Sequence, residues 1–179
     1  MFFILFINDM KACSILLKFI QFADDTTLMF SSNSFMHLQN TLESEAIKVT
    51  EWLERNRLVL NLSKTNLMLF SYKRNNPKLS VKINDFEIAE KSETTFLGVQ
   101  LDNKLTWKSH VTHIYSKISK SLAILRLVKS IFPKNVMKTI YMSLIYSYVN
   151  YCNLIWGAAA YGIIKPIFFS PKESYQHFN

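Results

Sequence analysis

The stretch ILLKFIQFADDTTLMF, from Ile15 to Phe30, is two short runs of β-branched, leucine and aromatic residues around Ala23, Asp24 and Asp25. Runs of this length bounded by turn-forming residues predict a β-hairpin, here with an acidic tip. Working outward, the polar Ser31 to Ser34 supplies a helix N-cap. From Phe35 the apolar Met36, Leu42, Ala46, Val49 and Leu53 recur at roughly helical spacing, which predicts a helix to about Asn56. Leu58, Leu60 and Leu62 alternate briefly, and Leu67 to Tyr72 predicts a strand that ends at a polar turn from Arg74 to Pro77. Val81, Ile83, Phe86 and Ile88 flank Asn84-Asp85, a second hairpin around an Asx turn, and Thr95 to Leu101 reads as one further strand.

After Trp107 the period becomes helical. Val111, Ile114, Ile118, Leu122 and Leu125 fall on one stripe, with His113, Lys117 and Lys120 on the opposite face. Pro133 marks the start of another helix that runs through Val136, Ile140, Leu144 and Ile145 towards Tyr151. A strand-rich part thus gives way, near Asp102 to Trp107, to a helical one, and the fold class expected is α+β. The domains expected are 1–102 and 103–157, with 158–179 left as an unassigned tail.

Composition limits the function classes. The chain has 179 residues, 49% apolar and 14% aromatic, with 3 Gly and 4 Pro, which excludes a disordered, collagen-like or linker-like chain. Cys13 and Cys152 are too few for a disulfide framework and read as reduced thiols, which implies an intracellular protein. The longest apolar run, Met1 to Ile7, is far short of the ~20 residues a membrane-spanning helix needs, so no membrane is expected among the partners. Asn8 and Asp9 follow at once, which does not fit a signal peptide either; no targeting signal selects nucleus or cytoplasm.

The net charge is +8, and it is unevenly spread: Met1 to Asp102 carries 11 Lys and Arg against 12 Asp and Glu, while Asn103 to Pro171 carries 9 Lys and Arg and no acid. A one-signed segment laced with Ile, Leu, Val and aromatics can fold and still present a cationic face, for which nucleic acid is the natural partner. The bland reading is a solvated helix face. His110 and His113, three apart on the expected helix, have no Cys or acidic neighbour in sequence, and no zinc site is assigned to them.

Asp24-Asp25 is the sharpest chemical feature. Carboxylates at a hairpin tip suit Mg2+, which takes oxygen ligands and is readily shared between one or two protein carboxylates and substrate phosphates. Adjacent strand residues point to opposite faces, so one Asp would be the principal ligand and its neighbour secondary. Acidic residues are also common in turns for purely local reasons.

The order of several further segments gives the pair its context. Ile7-Asn8-Asp9 precedes Phe22-Ala23-Asp24-Asp25, and a helix ends in Trp52-Leu53. Leu60-Asn61-Leu62-Ser63-Lys64-Thr65 and Phe96-Leu97-Gly98-Val99-Gln100-Leu101-Asp102 follow, then Leu105-Thr106-Trp107-Lys108-Ser109-His110. A basic helix leads last to Tyr148-Val149-Asn150-Tyr151-Cys152 and Ile155-Trp156-Gly157. This ordered set, from about Phe3 to Gly157, resembles the reverse transcriptase of non-LTR (LINE-like, jockey-type) retrotransposons. The resemblance implies a partial palm subdomain of antiparallel strands with a packed helix, followed by an α-helical thumb.

It also implies roles. Asp24 and Asp25 match the family's catalytic, metal-binding acidic pair, with Mg2+ as cofactor, and Phe22 stands at the aromatic position before it. Lys64 matches a palm lysine associated with the leaving group; its other reading is a solvated loop lysine. Phe96, Leu97 and Gly98 match the primer grip; a strand Gly of this kind also suits a β-bulge. On the thumb, Lys117 and Lys120 are the first candidates for phosphate contacts, with Lys104, Lys108 and Lys129 after them. Trp107, Trp156, Tyr141, Tyr146, Tyr148 and Tyr151 are expected in the core rather than as stacking platforms. The implied partners are an RNA template and DNA primer duplex, with deoxynucleotides in the intact family.

The family's palm also carries an upstream essential Asp and a fingers subdomain that have no counterpart here, and neither Asp9 nor Asp85 replaces that carboxylate. The expectation is therefore a fragment of an RNA-directed DNA polymerase, inactive by itself, with an exposed sheet edge. A non-catalytic nucleic-acid-binding module and a non-functional transposon relic are the alternatives.

Overall fold

The computed structural model describes residues 2–73, 77–83 and 85–167. Helices and small antiparallel strand pairs make up an α+β arrangement, divided into two compact units, Met1–Ser92 and Glu93–Asn179. The division falls ahead of the change in sequence pattern at Asp102, because the last hairpin packs with the helices that follow it.

In the first unit, helix α1 (Phe2–Ile7) runs into a 3-10 helix (Asn8–Cys13), followed by strands β1 (Lys18–Phe22) and β2 (Asp25–Met29) and helix α2 (Phe35–Arg55). The β1–β2 ladder pairs Lys18 with Met29 and closes at Phe22 with Asp25, so Asp25 belongs to a strand and the loop is Ala23-Asp24. Ala23 has φ 52°, the positive value that a two-residue hairpin loop needs in its centre. The first strand begins at Lys18 rather than Ile15 because the Ser14 hydroxyl accepts the backbone N–H groups of Leu16 and Leu17, which diverts them from a ladder.

The Ser34 hydroxyl accepts the His37 N–H and caps α2 as expected. The face it buries is Leu38, Thr41, Glu45, Val49, Trp52 and Leu53, whereas Met36 is exposed. Val49, Trp52 and Leu53 pack with Ile7, Met10 and Leu17 into the core of this unit. Strands β3 (Ser80–Ile83) and β4 (Phe86–Ala89) form the second hairpin, with Val81 and Ile83 buried. The Asn84 half of its expected Asx turn and the Arg74 to Asn76 part of the polar turn lie outside the described residues.

The expected strand from Leu67 to Tyr72 does not form. Its one ladder contact is an isolated bridge between Leu67 and Glu90, and Phe70 and Tyr72 face solvent. A strand needs a partner along its length.

In the second unit, Thr95 to Leu101 is not one strand but a tight hairpin, β5 (Glu93–Phe96) and β6 (Val99–Asp102), with Leu97-Gly98 as its two-residue loop. Among the described residues, the sheet expected for a palm is thus three separate two-stranded ladders. Helix α3 (Lys108–Val128) buries Val111, Ile114, Ile118, Leu122 and Leu125, the stripe read from the sequence. Helix α4 (Lys134–Tyr141) continues through a π-helical turn (Met142–Tyr146) into α5 (Ser147–Asn150), and α6 (Asn153–Trp156) follows. Met137, Ile145, Trp156 and Ile167 complete the core. Trp156 is buried, with Trp107 and Tyr141 packed against the core, but Tyr146, Tyr148 and Tyr151 are exposed, contrary to expectation. Of the tail from Ala158, residues 168–179 lie outside the described part. Among the described residues, no helix is long and apolar enough to cross a membrane.

Candidate functional site

The first unit holds the acidic tip. β1 is tied near its end by Gln21, whose side-chain amide donates to the Ile7 carbonyl at 3.0 Å. Phe19 and Leu28 pack on the core, so the far end of the hairpin presents Phe22, Asp24 and Asp25 to solvent. Among the described residues neither Asp makes a side-chain hydrogen bond or ion pair, and no cluster of three or more His, Cys, Asp or Glu side chains is placed to hold a metal ion. Two exposed carboxylates have the hard oxygen chemistry that Mg2+ prefers, but in number they amount to part of a site. Asp24 and Asp25 by themselves therefore support no reaction step.

Lys64 lies in a loop organised by Asn61. The Asn61 carbonyl accepts the N–H groups of Lys64 and Thr65 and the Thr65 hydroxyl, while its side-chain oxygen accepts the Ser63 hydroxyl at 2.7 Å. This is the local hydrogen bonding that makes Asn a turn former. The loop leaves the Lys64 side chain exposed.

The second unit holds the Phe96-Leu97-Gly98 turn, and its surroundings are more elaborate. Leu97 has φ 45° and Gly98 φ 80°, the two successive positive values of a type I′ hairpin turn. For Gly this costs little, whereas for Leu it is an uncommon conformation that its surroundings must hold. Several contacts do so.

The Tyr151 hydroxyl donates to the Leu97 carbonyl at 2.6 Å, and the Tyr151 ring lies alongside Gly98. On the other strand, the Gln100 N–H donates to Nδ1 of His110, at 3.2 Å. At the start of β5, the Ser109 hydroxyl donates to the Glu93 carboxylate at 2.6 Å. At the end of β6, the Asp102 carboxylate accepts the N–H groups of Lys104, Thr106 and Trp107 and the Thr106 hydroxyl. Trp107 itself has φ 66°, so Asp102 fixes a strained connection into α3.

The electrostatics follow from these bonds. Burial alone would raise the Asp102 carboxyl, but the N–H donors of Thr106, Trp107 and Lys104 outweigh it and hold the group below the usual carboxylate range. Burial, helped by nearby His113, pushes the His110 imidazole below its ordinary value. With Nδ1 accepting, neutral His110 carries its proton on Nε2, which is buried and has no hydrogen-bond partner among the described residues, and the ring meets the Trp156 indole edge-on at 5.8 Å. A cleft of about 250 Å3 opens beside Gly98, with Ser147, Tyr148 and His113 among its walls.

Of the lysines read from sequence, Lys120 lies exposed on the face of α3 away from its buried stripe, Lys117 is exposed on the flank of that stripe rather than opposite it, and Lys108 is exposed in the first turn of that helix. Lys104 and Lys129 are also exposed but engaged with neighbouring groups. Asp102, His110 and Tyr151 are the residues that sequence reasoning passed over as functional. Each is a single polar residue near the end of an element, and only the fold shows that Tyr151 and His110 flank the Leu97-Gly98 turn while Asp102 holds the connection into α3.

Comparison with known proteins gives three relatives, all from Drosophila melanogaster. The chain is 30% identical over 150 residues to a probable RNA-directed DNA polymerase from the transposon X-element, a match that covers 82% of this chain and 16% of that protein. It is 27% identical over 142 residues to the RNA-directed DNA polymerase from the mobile element jockey, covering 79% of this chain and 15% of the relative. A probable RNA-directed DNA polymerase from the transposon BS is 25% identical over 143 residues, covering 78% and 16%. The chain is therefore homologous, over most of its length, to a segment of transposon-encoded RNA-directed DNA polymerases, and spans only that small share of each. No family model matches it, and no solved structure matches it.

Proposed function

We propose that this chain works as the rear palm and thumb of a non-LTR retrotransposon reverse transcriptase, holding an RNA template and DNA primer duplex for a polymerase that uses deoxynucleotides. The observation that carries the reading is the similarity to three such polymerases over about four fifths of the chain. The strand-rich unit with the Asp24-Asp25 tip takes the part of the palm. The helices of the second unit take the part of the thumb, and the β5–β6 hairpin ahead of them is the palm's primer grip at Phe96, Leu97 and Gly98. Asp24 and Asp25 contribute carboxylates to a divalent-metal site, and Mg2+ bound there in an intact polymerase would activate the primer hydroxyl and neutralise the leaving pyrophosphate. Lys64 stands near the leaving group in this assignment. Lys117 and Lys120, with Lys108, Lys104 and Lys129, follow the duplex through its phosphates without reading sequence.

Charge favours a second reading, in which the helical unit alone binds nucleic acid and no chemistry follows. Residues 93–179 carry 10 Lys and Arg against 3 Asp and Glu, net +7, while residues 1–92 carry 11 against 10, net +1. Titration of the full chain with a labelled RNA–DNA hybrid, with and without Mg2+, separates the two. Under the polymerase reading Mg2+ strengthens binding, and Asp24→Asn removes the increment. Under the second reading binding is salt-sensitive and indifferent to both. A chain that binds no hybrid at low salt overturns both.

A further inference from the structure

We propose that Tyr151 is a positioning residue for the Leu97-Gly98 turn, with His110 as its counterpart on the next strand, so that the turn is set by the helices rather than by its own sequence. The assignment of the turn to a primer end rests on the polymerase reading above; the positioning itself rests on geometry.

Leu97 is held at φ 45° in a loop whose residues lack the Asn-Gly or Asp-Gly pair that favours a type I′ turn. Something outside the loop must therefore select the conformation. The Leu97 carbonyl accepts the hydroxyl of Tyr151, which lies 54 positions along the chain. Tyr151 is itself fixed: its N–H donates to the Ser147 carbonyl at 3.0 Å, and its carbonyl accepts the indole N–H of fully buried Trp156 at 2.8 Å. The same indole stacks edge-on against His110, whose Nδ1 takes the Gln100 N–H. One buried tryptophan thus supports a grip on both flanks of the turn, at Leu97 and at Gln100.

The Tyr151 side is the adjustable one. Tyr151 is half exposed, whereas His110, which also lines the cleft beside Gly98, is buried. A Cβ on Gly98 would meet the Tyr151 ring at 3.6 Å, an ordinary contact, so the ring supports the turn without crowding it. Tyr151 also ends α5, just beyond the π-helical turn at Met142–Tyr146. A π turn carries one extra residue per loop of helix, and such irregularities accompany functional sites. A shift of this helix on a bound duplex would pass through the phenol to the turn that meets the primer end.

The test uses the full chain and Tyr151→Phe, which keeps the ring and removes only the donor. Two labelled RNA–DNA hybrids serve as probes, one with a recessed DNA 3′ end and one blunt. Hydrogen exchange of the peptide spanning 94–101 is followed in parallel. The expected result is that the wild type prefers the recessed end and that Tyr151→Phe reduces this preference by up to about tenfold, the worth of one hydrogen bond. Blunt-end affinity stays unchanged, and exchange at the turn accelerates. Unchanged preference and unchanged exchange in the variant overturn the proposal while leaving the polymerase reading intact. An equal loss for both hybrids overturns it in favour of a merely structural tyrosine. A wild type that binds neither hybrid overturns the polymerase reading and the primer-end assignment with it.

Discussion

His110 couples strand β6 to helix α3 through an imidazole that must stay neutral, because protonation at Nδ1 would break the Gln100 bond and bury a charge. Its pKa is lowered in the folded state by burial and by His113, so the unfolded chain binds the proton more readily. The sign follows. Stability is full above the unfolded histidine value of about 6.5 and is lost as pH falls from there towards the folded value. Urea melts between pH 8 and 5 should show the wild type losing stability over that window. His110→Asn places an amide oxygen near Nδ1 and cannot titrate, so its profile should be flatter; a slope equal to the wild type's would refute the assignment. Asp102 acts in a lower window. Its carboxyl is held down by the N–H donors of Thr106, Trp107 and Lys104 against its burial, so its contribution is present above about 3.9 and lost as pH falls through the folded value. Asp102→Ala leaves three N–H groups without their acceptor and should cost about 1–3 kcal/mol at neutral pH, read from denaturant midpoints.

At the scale of elements, α3 has two faces with separable consequences. Ile118 is fully buried among Ile114, Leu122, Leu125 and Trp156, and Ile118→Ala should destabilise the second unit by about 2–5 kcal/mol. Lys117→Ala and Lys120→Ala should leave the melting temperature almost unmoved but weaken hybrid binding, each reducing the log–log salt slope by roughly 1 if it contacts a phosphate. An unchanged salt slope would remove α3 from the interface. This helix was fully legible in the sequence, since a stripe at 3.6-residue spacing requires only local geometry. The β1–β2 hairpin was legible from two short apolar runs around turn residues, although its first strand begins at Lys18 and Asp25 lies in a strand rather than in the loop. The β5–β6 turn was not, because Leu97 adopts a positive φ that no local rule assigns to leucine, and its carbonyl is held by Tyr151, 54 positions along the chain. The strand expected at Leu67–Tyr72 failed in the opposite way: its apolar pattern was right for a strand, but a strand is a property of two segments, and only Leu67 found a partner. Exposed Tyr146, Tyr148 and Tyr151 were misjudged as core because aromatic content reports burial only on average.

For the whole molecule, charge and acidic chemistry lie in different units, which makes binding and metal dependence separable properties. The second unit carries net +7 and the first net +1, although the acids of the first include the Asp24-Asp25 tip. Phosphate neutralisation releases counterions and dominates nucleic-acid affinity, so the hybrid should be held chiefly by the second unit. Removing two negative charges from the first unit therefore has little to act on when no divalent ion is present. The double variant Asp24→Asn with Asp25→Asn should bind the hybrid in EDTA within about twofold of the wild type, a change well below that of losing one phosphate contact. In Mg2+ the same variant should fall behind the wild type if the carboxylates bring an ion to the nucleic acid, since each bound ion offsets phosphate charge that the lysines leave exposed. Anisotropy titrations at one ionic strength, in EDTA and then in Mg2+, distinguish the contributions. A large loss already present in EDTA would mean that the hairpin tip is part of the duplex interface itself. Parity in both conditions would leave the acidic pair as an ordinary polar turn and favour binding by the basic helices alone.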